Sequence, residues 1–502
     1  MPIASPELQQ LRGFLAGAGG RLYLGTTGAG LALADPQQAL LVLGPPRSGK
    51  TTALAVPNLL AAPGPVVATS TKVDLLAATV SGRAELGRCW LFDPSGVIAV
   101  PTGVTRLRWS PVVSASTWDE ALVLARAMTS AARPAGRTGE SSHWTERAEA
   151  LLAPLLHGAH LAGLGMDAVV HWVLRQDLDP ARTALGRNGV DLAIDVLAGL
   201  AATDPREQSG IWSSTAGVLA AYRSDAVLDT AGAPNFDPRR LINSRDTIYI
   251  CAPARYQDLV APIVVAFLEQ VRAGAYAASR GTESVGAAAG GASAAAVPLT
   301  LILDELANIA PIPDLPAMIS EGGGQRLLTL ACLQDLSQAR QRWGPAADGF
   351  LSLFGAKLVL PGIGDLATLE LVSRLGGEID VPARSVSRPP WGWTPGTVTW
   401  STLRQRRLPV EAVSQQPPGG ALVLAGTRPP ERVALPPWWT VPIFRSPTGR
   451  SRPRELGSAE TRASDDNQGQ RVGPPGPVGP SRDEAGAATR RDGLGPFTGP
   501  AH

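Results

Sequence analysis

The sequence predicts an α/β nucleotide-binding fold, interrupted by an all-α insertion and followed by a disordered polar tail. Three observations carry that prediction. The run LLVLGPPRSGKTT at 40–52 passes from an apolar strand through a glycine-bearing loop into a helix. Short β-like runs alternate with helical patterns, fade between about residues 110 and 235, and then resume. Beyond about residue 445 the chain turns polar and rich in Gly, Pro, Arg and Asp, with almost no aromatics.

At 502 residues the chain can fill roughly two to four domains with ample core. Composition divides it into an N-terminal segment (1–38), a nucleotide-binding domain in two parts (39–110 and 241–443), an all-α inserted domain (111–240) and the tail (444–502). An Ala/Gly-rich stretch at 282–297 reads as a flexible linker inside the second part. Lys50, Lys72 and Lys357 are the only lysines, so the 45 basic residues are almost all arginine, and the formal net charge is only +2. That balance excludes a globally basic nucleic-acid binder and leaves any such contact to a local patch. Cys89, Cys251 and Cys332 are too scattered for a disulfide framework or a zinc site and read as reduced core residues of a cytosolic protein. The N-terminus lacks the charged-then-apolar pattern of a signal peptide, and no run of about 20 apolar residues predicts a membrane span.

In chain order, Ala39–Leu43 is a buried-strand run, and a helix is expected from about Lys50. Pro65–Thr69 and Arg88–Phe92 are the next strand candidates. Within the insertion, Thr117-x-x-Glu120 is a capping box. Ala148, Leu151, Leu152, Leu155, Leu156 and Ala159 recur at the spacing of one buried helical face. Strand-like runs return at Thr247–Cys251, Leu299–Leu303, Leu327–Cys332, Lys357–Leu360 and Ala421–Leu424. Residues 384–443, rich in Pro, Trp and Arg, read as loop-heavy.

Gly44-Pro45-Pro46-Arg47-Ser48-Gly49-Lys50-Thr51, continued by Thr52, fits G-x-x-x-x-G-K-[ST] in the strand–loop–helix setting that motif needs. Loop amides and the helix N-terminus wrap a triphosphate there; Lys50 reaches the β/γ-phosphates and the Thr51 hydroxyl holds Mg²⁺. Asp304 and Glu305 emerge at the end of the run Leu299–Leu303, where ligands of parallel sheets bind. Asp304 fits the acid that holds Mg²⁺ through water, and Glu305 the base that polarises the attacking water, so a hydrolase is expected. Gln334, ending the next strand, fits a γ-phosphate sensor or, equally, a surface amide. Lys72 and Asp74 form a polar pair near a strand end or a solvated turn, and Asp93 more often marks a turn than a ligand.

Together these residues resemble the type IV secretion coupling proteins, the TraG/TraD group of conjugative DNA transfer ATPases. The resemblance runs over about 40–440 and rests on an ordered set of motifs. They are the P-loop with Val56-Pro57-Asn58-Leu59-Leu60, Thr71-Lys72-Val73-Asp74-Leu75, Phe92-Asp93-Pro94, and His143-Trp144 opening a helix. Asp304-Glu305-Leu306-Ala307-Asn308-Ile309-Ala310-Pro311-Ile312-Pro313, Gln334-Asp335-Leu336-Ser337-Gln338 and the Pro429-Pro430 region complete it. It implies a RecA-like motor domain with an inserted all-α domain, a homo-hexamer, ATP and Mg²⁺ as ligands, and delivery of DNA or a relaxase–DNA complex to a secretion channel.

Two departures qualify what the resemblance implies. The family usually begins with transmembrane helices, and none is read here, so either a separate membrane component recruits the protein to the cytoplasmic face or it works as a soluble relative. The family also tends to carry Gly-Arg before the glutamine strand as a candidate arginine finger; here Ser320–Arg326 reads SEGGGQR, making Arg326, or Arg340, the substitute. Two other functions stay open, an FtsK-like DNA pump and a nucleotide-gated docking platform with little turnover. For DNA contact the candidate stretch is 384–407, where Arg384, Arg388, Arg404, Arg406 and Arg407 meet Trp391, Trp393 and Trp400. Its other reading is an exposed loop whose tryptophans pack on the core.

Overall fold

Runs such as Leu40–Leu43 (LLVL) and Leu327–Leu333 (LLTLACL) offer no charged position for a wet face, so they belong inside a sheet covered on both sides. The computed structural model, which describes residues 4–132, 140–289, 297–387 and 397–445, builds that sheet. Its strands are β1 (Tyr23–Thr27), β2 (Gly30–Leu33), β3 (Leu40–Leu43), β4 (Val66–Ser70), β5 (Cys89–Phe92), β6 (Thr105–Arg106), β7 (Thr247–Cys251), β8 (Leu299–Leu303), β9 (Leu327–Leu333) and β10 (Ala356–Val359). A separate ribbon, β11 (Glu378–Ser387) with β12 (Thr397–Arg406), comes next, and β13 (Gly420–Ala425) and β14 (Glu431–Ala434) return to the sheet.

The large sheet has twelve strands in the order β2-β1-β14-β13-β10-β3-β9-β8-β4-β7-β5-β6. Every neighbouring pair from β10 to β6 is parallel. The β13, β14, β1 and β2 pairings are antiparallel. Side chains alternate between two cores: Leu41 and Leu43 of β3 enter one, Leu40 and Val42 the other. Helices Pro6–Gly17, Val56–Ala61 and Asp74–Ala84 cover the second face. Arg83, fully buried, fastens that layer by donating to the carbonyls of Ala62 (2.5 Å) and Gly64 (2.7 Å) and to Thr247 Oγ1 (2.7 Å).

Among the described residues, only helical elements and connecting segments lie between β6 and β7. Thr117 caps helix Trp118–Ala131 by accepting from the Glu120 amide at 3.3 Å. The reciprocal half of the expected capping box is not made, because the Glu120 carboxylate binds Ser116 Oγ and Arg239 instead. Helix Glu140–Leu161 buries Ala148, Leu151, Leu152, Leu155, Leu156 and Ala159, the expected face. His143 and Arg147 near its start both reach Glu207, and Trp144 lies so close to Gly210 that a Cβ there would fall 2.3 Å from its ring. The His143-Trp144 pair therefore pins two insertion helices together.

Three readings change. Residues 1–38 supply a helix and two strands to the sheet, because β1 pairs with β14 (Thr26 opposite Ala434). The loop-heavy reading of 384–443 gives way in part: beside the run already read at Ala421–Leu424 stand β14 and the ribbon strands β11 and β12, whose many Ser, Thr and Arg positions hid any apolar run. The stretch read as linker is helical through Ala289, within helix Gln257–Ala289, while 290–296 lie outside the described residues. Ala254–Arg280 is long and apolar enough to cross a membrane by composition, but 72% of its apolar window is buried. Phe267 from this helix packs on Phe92 and Trp109 with ring centroids 4.8 and 5.5 Å apart, as in a core helix. The tail expected at 444–502 lies outside the described residues from 446 onward.

Candidate nucleotide-binding and catalytic site

The loop after β3 is shaped by two glycines. A Cβ on Gly44 would lie 2.9 Å from both Leu360 Cβ and Ser48 Oγ, and Gly49 adopts φ 94°, a left-handed conformation. The Gly44 amide donates to Leu333 O at 3.1 Å, tying the loop to β9. The chain then enters a π-helical segment, Lys50–Ala55, continued by the α-helix Val56–Ala61. Lys50 is buried, and its Nζ donates to the carbonyls of Gly44 (2.5 Å) and Pro45 (2.9 Å) at the loop's mouth. Thr52 Oγ1 closes the first turn onto Gly49 O at 3.4 Å.

Thr51 Oγ1 donates to Asp304 Oδ2 at 2.7 Å, joining the loop to the end of β8. Asp304 is buried, which pushes its carboxyl above the usual range, against the pull of the Thr51 bond and the Lys50 charge. Burial likewise raises Glu305, and the neighbouring Asp304 adds to that rise. Glu305 stands at φ 57°, ψ 43°, a left-handed conformation that costs a non-glycine residue about 1–2 kcal/mol. Gln334 follows β9, the strand between β3 and β8, so topology sets it between the phosphate loop and the acidic pair. Its amide N–H donates to Gln338 Oε1 at 3.0 Å.

These groups fit a nucleoside triphosphate with Mg²⁺. Ser48 Oγ is a buried hydroxyl without a hydrogen-bond partner among the described residues, Lys50 supplies an ammonium, and Thr51 with Asp304 offers hard oxygen donors of the kind Mg²⁺ takes. Pro45, Pro46 and Arg47 complete the turn, Arg47 at φ 64°.

Other expected residues fall elsewhere. Arg326 lies at the amino end of β9, opposite the end that carries the loop, and does not join the site of its own subunit. Its Nη2 donates to Val297 O at 3.3 Å. Arg340 is paired with Asp348 (3.1 Å) and Asp365 (3.7 Å). Asp74 starts helix Asp74–Ala84, and Lys72 is tethered through its amide to Ser70 Oγ. Asp93 accepts from the Ser95 amide (2.9 Å) and the Ile98 amide (2.6 Å), an ordinary turn. Sequence reasoning assigned no role to Thr69, whose Oγ1 donates to Asp304 O at 2.7 Å, or to Asn308, whose Nδ2 donates to Glu305 Oε2 at 3.2 Å. A buried hydroxyl in an otherwise apolar strand was the available signal for Thr69.

The DNA-contact stretch is reshaped as well. Arg388, Trp391 and Trp393 lie outside the described residues. Trp400 is 68% exposed rather than packed on the core, because the ribbon stands apart from the sheet. Arg404 is paired with Glu378 (3.4 Å) and Asp380 (3.8 Å), and Arg406 with Glu370 (3.3 Å), so intramolecular acids engage two of the expected phosphate-binding arginines.

A strand–loop–helix with a buried lysine, its threonine bonded to an acid two strands away, defines a P-loop nucleotide-binding protein. The family described as type IV secretory system conjugative DNA transfer matches residues 15–448, and the chain belongs to that family. No curated protein matches it by sequence. Among solved structures it is similar to an unbound form of the bacterial conjugative coupling protein TrwB, lacking its first 70 residues, at TM-score 0.62 and 20% identity, over 85% of this chain and 92% of that one. TrwB with the non-hydrolysable ATP analogue ADPNP aligns at TM-score 0.58 and 19% identity, over 80% and 86%. TrwB with ADP and Mg²⁺ aligns at TM-score 0.58 and 20% identity, over 80% and 85%. These likenesses establish the RecA-like fold.

Proposed function

We propose that this chain is an ATPase coupling hydrolysis to the delivery of DNA, or of a relaxase–DNA complex, into a type IV secretion channel. The observation that carries the reading is the Thr51–Asp304 bond beside buried Lys50, which assembles a phosphate and metal site within a conjugative-transfer family member. TrwB, which shares the fold, binds ADPNP and ADP with Mg²⁺, and ATP and Mg²⁺ are the ligands assigned to this loop. Bound there, they supply the scissile phosphoanhydride and a divalent charge on its oxygens.

Lys50 sets its ammonium against the β/γ-phosphate charge. Thr51 and Asp304 present oxygens to the metal, Glu305 takes the proton of the attacking water, and Gln334 orients that water. Arg326, at the far end of β9, acts across a subunit boundary of a homo-hexamer. A separate membrane component holds the ring at the cytoplasmic face. Family membership favours conjugative transfer over an FtsK-like pump; a docking platform with little turnover is the alternative outcome of the test.

That test is phosphate release by the full chain with Mg²⁺ and ATP, with and without single-stranded DNA, beside nucleotide binding. Lys50→Ala is expected to weaken binding and abolish turnover. Glu305→Gln is expected to keep binding and lose turnover. A parent protein that binds ATP but releases no phosphate is a platform, and a parental rate in Glu305→Gln removes that residue from the chemistry.

A further inference from the structure

Asp304 and Glu305 are consecutive, and consecutive strand residues point to opposite faces of a sheet. Both can serve one site only if the backbone turns between them, and the left-handed Glu305 makes that turn. A non-glycine residue persists in this conformation only where its surroundings over-determine it.

Two side chains outside the acidic pair do so. Thr69, on β4, is fully buried and opposes Leu303 of β8 in the parallel register. Its hydroxyl donates to Asp304 O at 2.7 Å, fixing the peptide plane that leads into Glu305. The strand around it, Val66–Ser70, is buried throughout, a setting in which valine is the expected isostere and a hydroxyl is costly unless bonded. Asn308 holds Glu305 at both ends. Its backbone amide donates to Glu305 O at 3.0 Å and its Nδ2 to Glu305 Oε2 at 3.2 Å.

We propose that Thr69 and Asn308 are positioning residues that lock Glu305 in its left-handed conformation and so aim its carboxylate, an inference that rests on the ATPase reading. Neither residue contacts the phosphate loop through the bonds described. Their loss therefore affects kcat, while nucleotide affinity, set by Lys50 and Thr51, is spared. Misplacing a reacting group by about 1 Å costs up to about a hundredfold in rate.

The experiment is steady-state ATPase kinetics on the full chain with Mg²⁺ and single-stranded DNA, with nucleotide affinity and thermal midpoint measured in parallel. Thr69→Val, nearly isosteric, is expected to lower kcat between about ten- and a hundredfold with KM and affinity within about twofold of the parent. Thr69→Ser, which keeps the hydroxyl, is expected to restore most of the rate. Asn308→Ala should repeat the Thr69→Val pattern. A parental kcat in both Thr69→Val and Asn308→Ala, alongside an inactive Glu305→Gln, overturns the inference while leaving the ATPase reading intact. An active Glu305→Gln, or a parent without turnover, overturns both. A rate loss in Thr69→Val that Thr69→Ser does not restore, or that follows the thermal midpoint, makes Thr69 merely structural and likewise overturns its positioning role.

Discussion

The nucleotide end of the central sheet and the β11–β12 ribbon bear polar groups to opposite ends. At the sheet end Lys50, Asp304 and Thr69 are buried and held by short bonds within the loop and between neighbouring strands. On the ribbon Trp400, Leu403 and Val398 stand in solvent, and Arg404 finds Asp380 directly across the pairing and Glu378 on the diagonal. The first region fixes the geometry of its polar groups; the second leaves side chains exposed to solvent. Composition alone misleads here, since the arginine-rich stretch partly neutralises itself while the single lysine of the loop is buried and held by two loop carbonyls.

Three measurements sharpen or break this contrast. The largest expected effect belongs to Arg326, which sits away from both regions within one subunit. If it completes a neighbour's site, Arg326→Ala should depress kcat about 10³-fold with nucleotide affinity nearly intact. A normal rate would show that the buried end is complete within one subunit and return attention to Arg340.

The next effect concerns the ribbon. Arg384 and Arg407 form no ion pair among the described residues, unlike Arg404 and Arg406. Replacing Arg384 and Arg407 by alanine should weaken DNA binding and reduce the salt slope of log K by about 0.7–0.9 per arginine. Replacing Arg404 and Arg406 should change the slope far less. Equal slopes for the two double variants would mean that the ion pairs open on contact. The smallest effect needs no substitution. Native-state hydrogen exchange should show β3 and β9 amides protected nearly to the limit of global unfolding, while ribbon amides open locally. Matching protection in the two regions would remove the rigid-versus-free distinction.

The sheet end was legible because its signals are contiguous. A glycine-bearing loop follows an apolar run, and an acidic pair ends another, so each motif carries its own structural setting. The eight strands read from apolar runs are the buried ones. The missed strands β1, β2, β6, β11, β12 and β14 have wet or half-wet faces, where alternation is weak over two to ten residues. Thr69 escaped for another reason: a hydrogen bond across a parallel pair depends on strand order, which local spacing does not encode. Asn308, three residues after Glu305, escaped because its role depends on the left-handed turn at Glu305, which the residue types do not announce. The Glu120 carboxylate was drawn from its capping box by Arg239, a partner 119 positions away.

The pairing of β1 with β14 also sets a clock on the birth of the protein. Thr26 and Ala434 are 408 positions apart, yet among the described residues the β1–β2 hairpin has no other neighbour in the sheet. At about 5–20 residues per second, a ribosome needs about 20–80 s to deliver the partner strand after the first has emerged. Throughout that interval β1 presents an open edge beside Leu22 and Tyr23, both destined for burial. The nascent chain must therefore shelter this hairpin, or have it sheltered, until β14 closes the sheet.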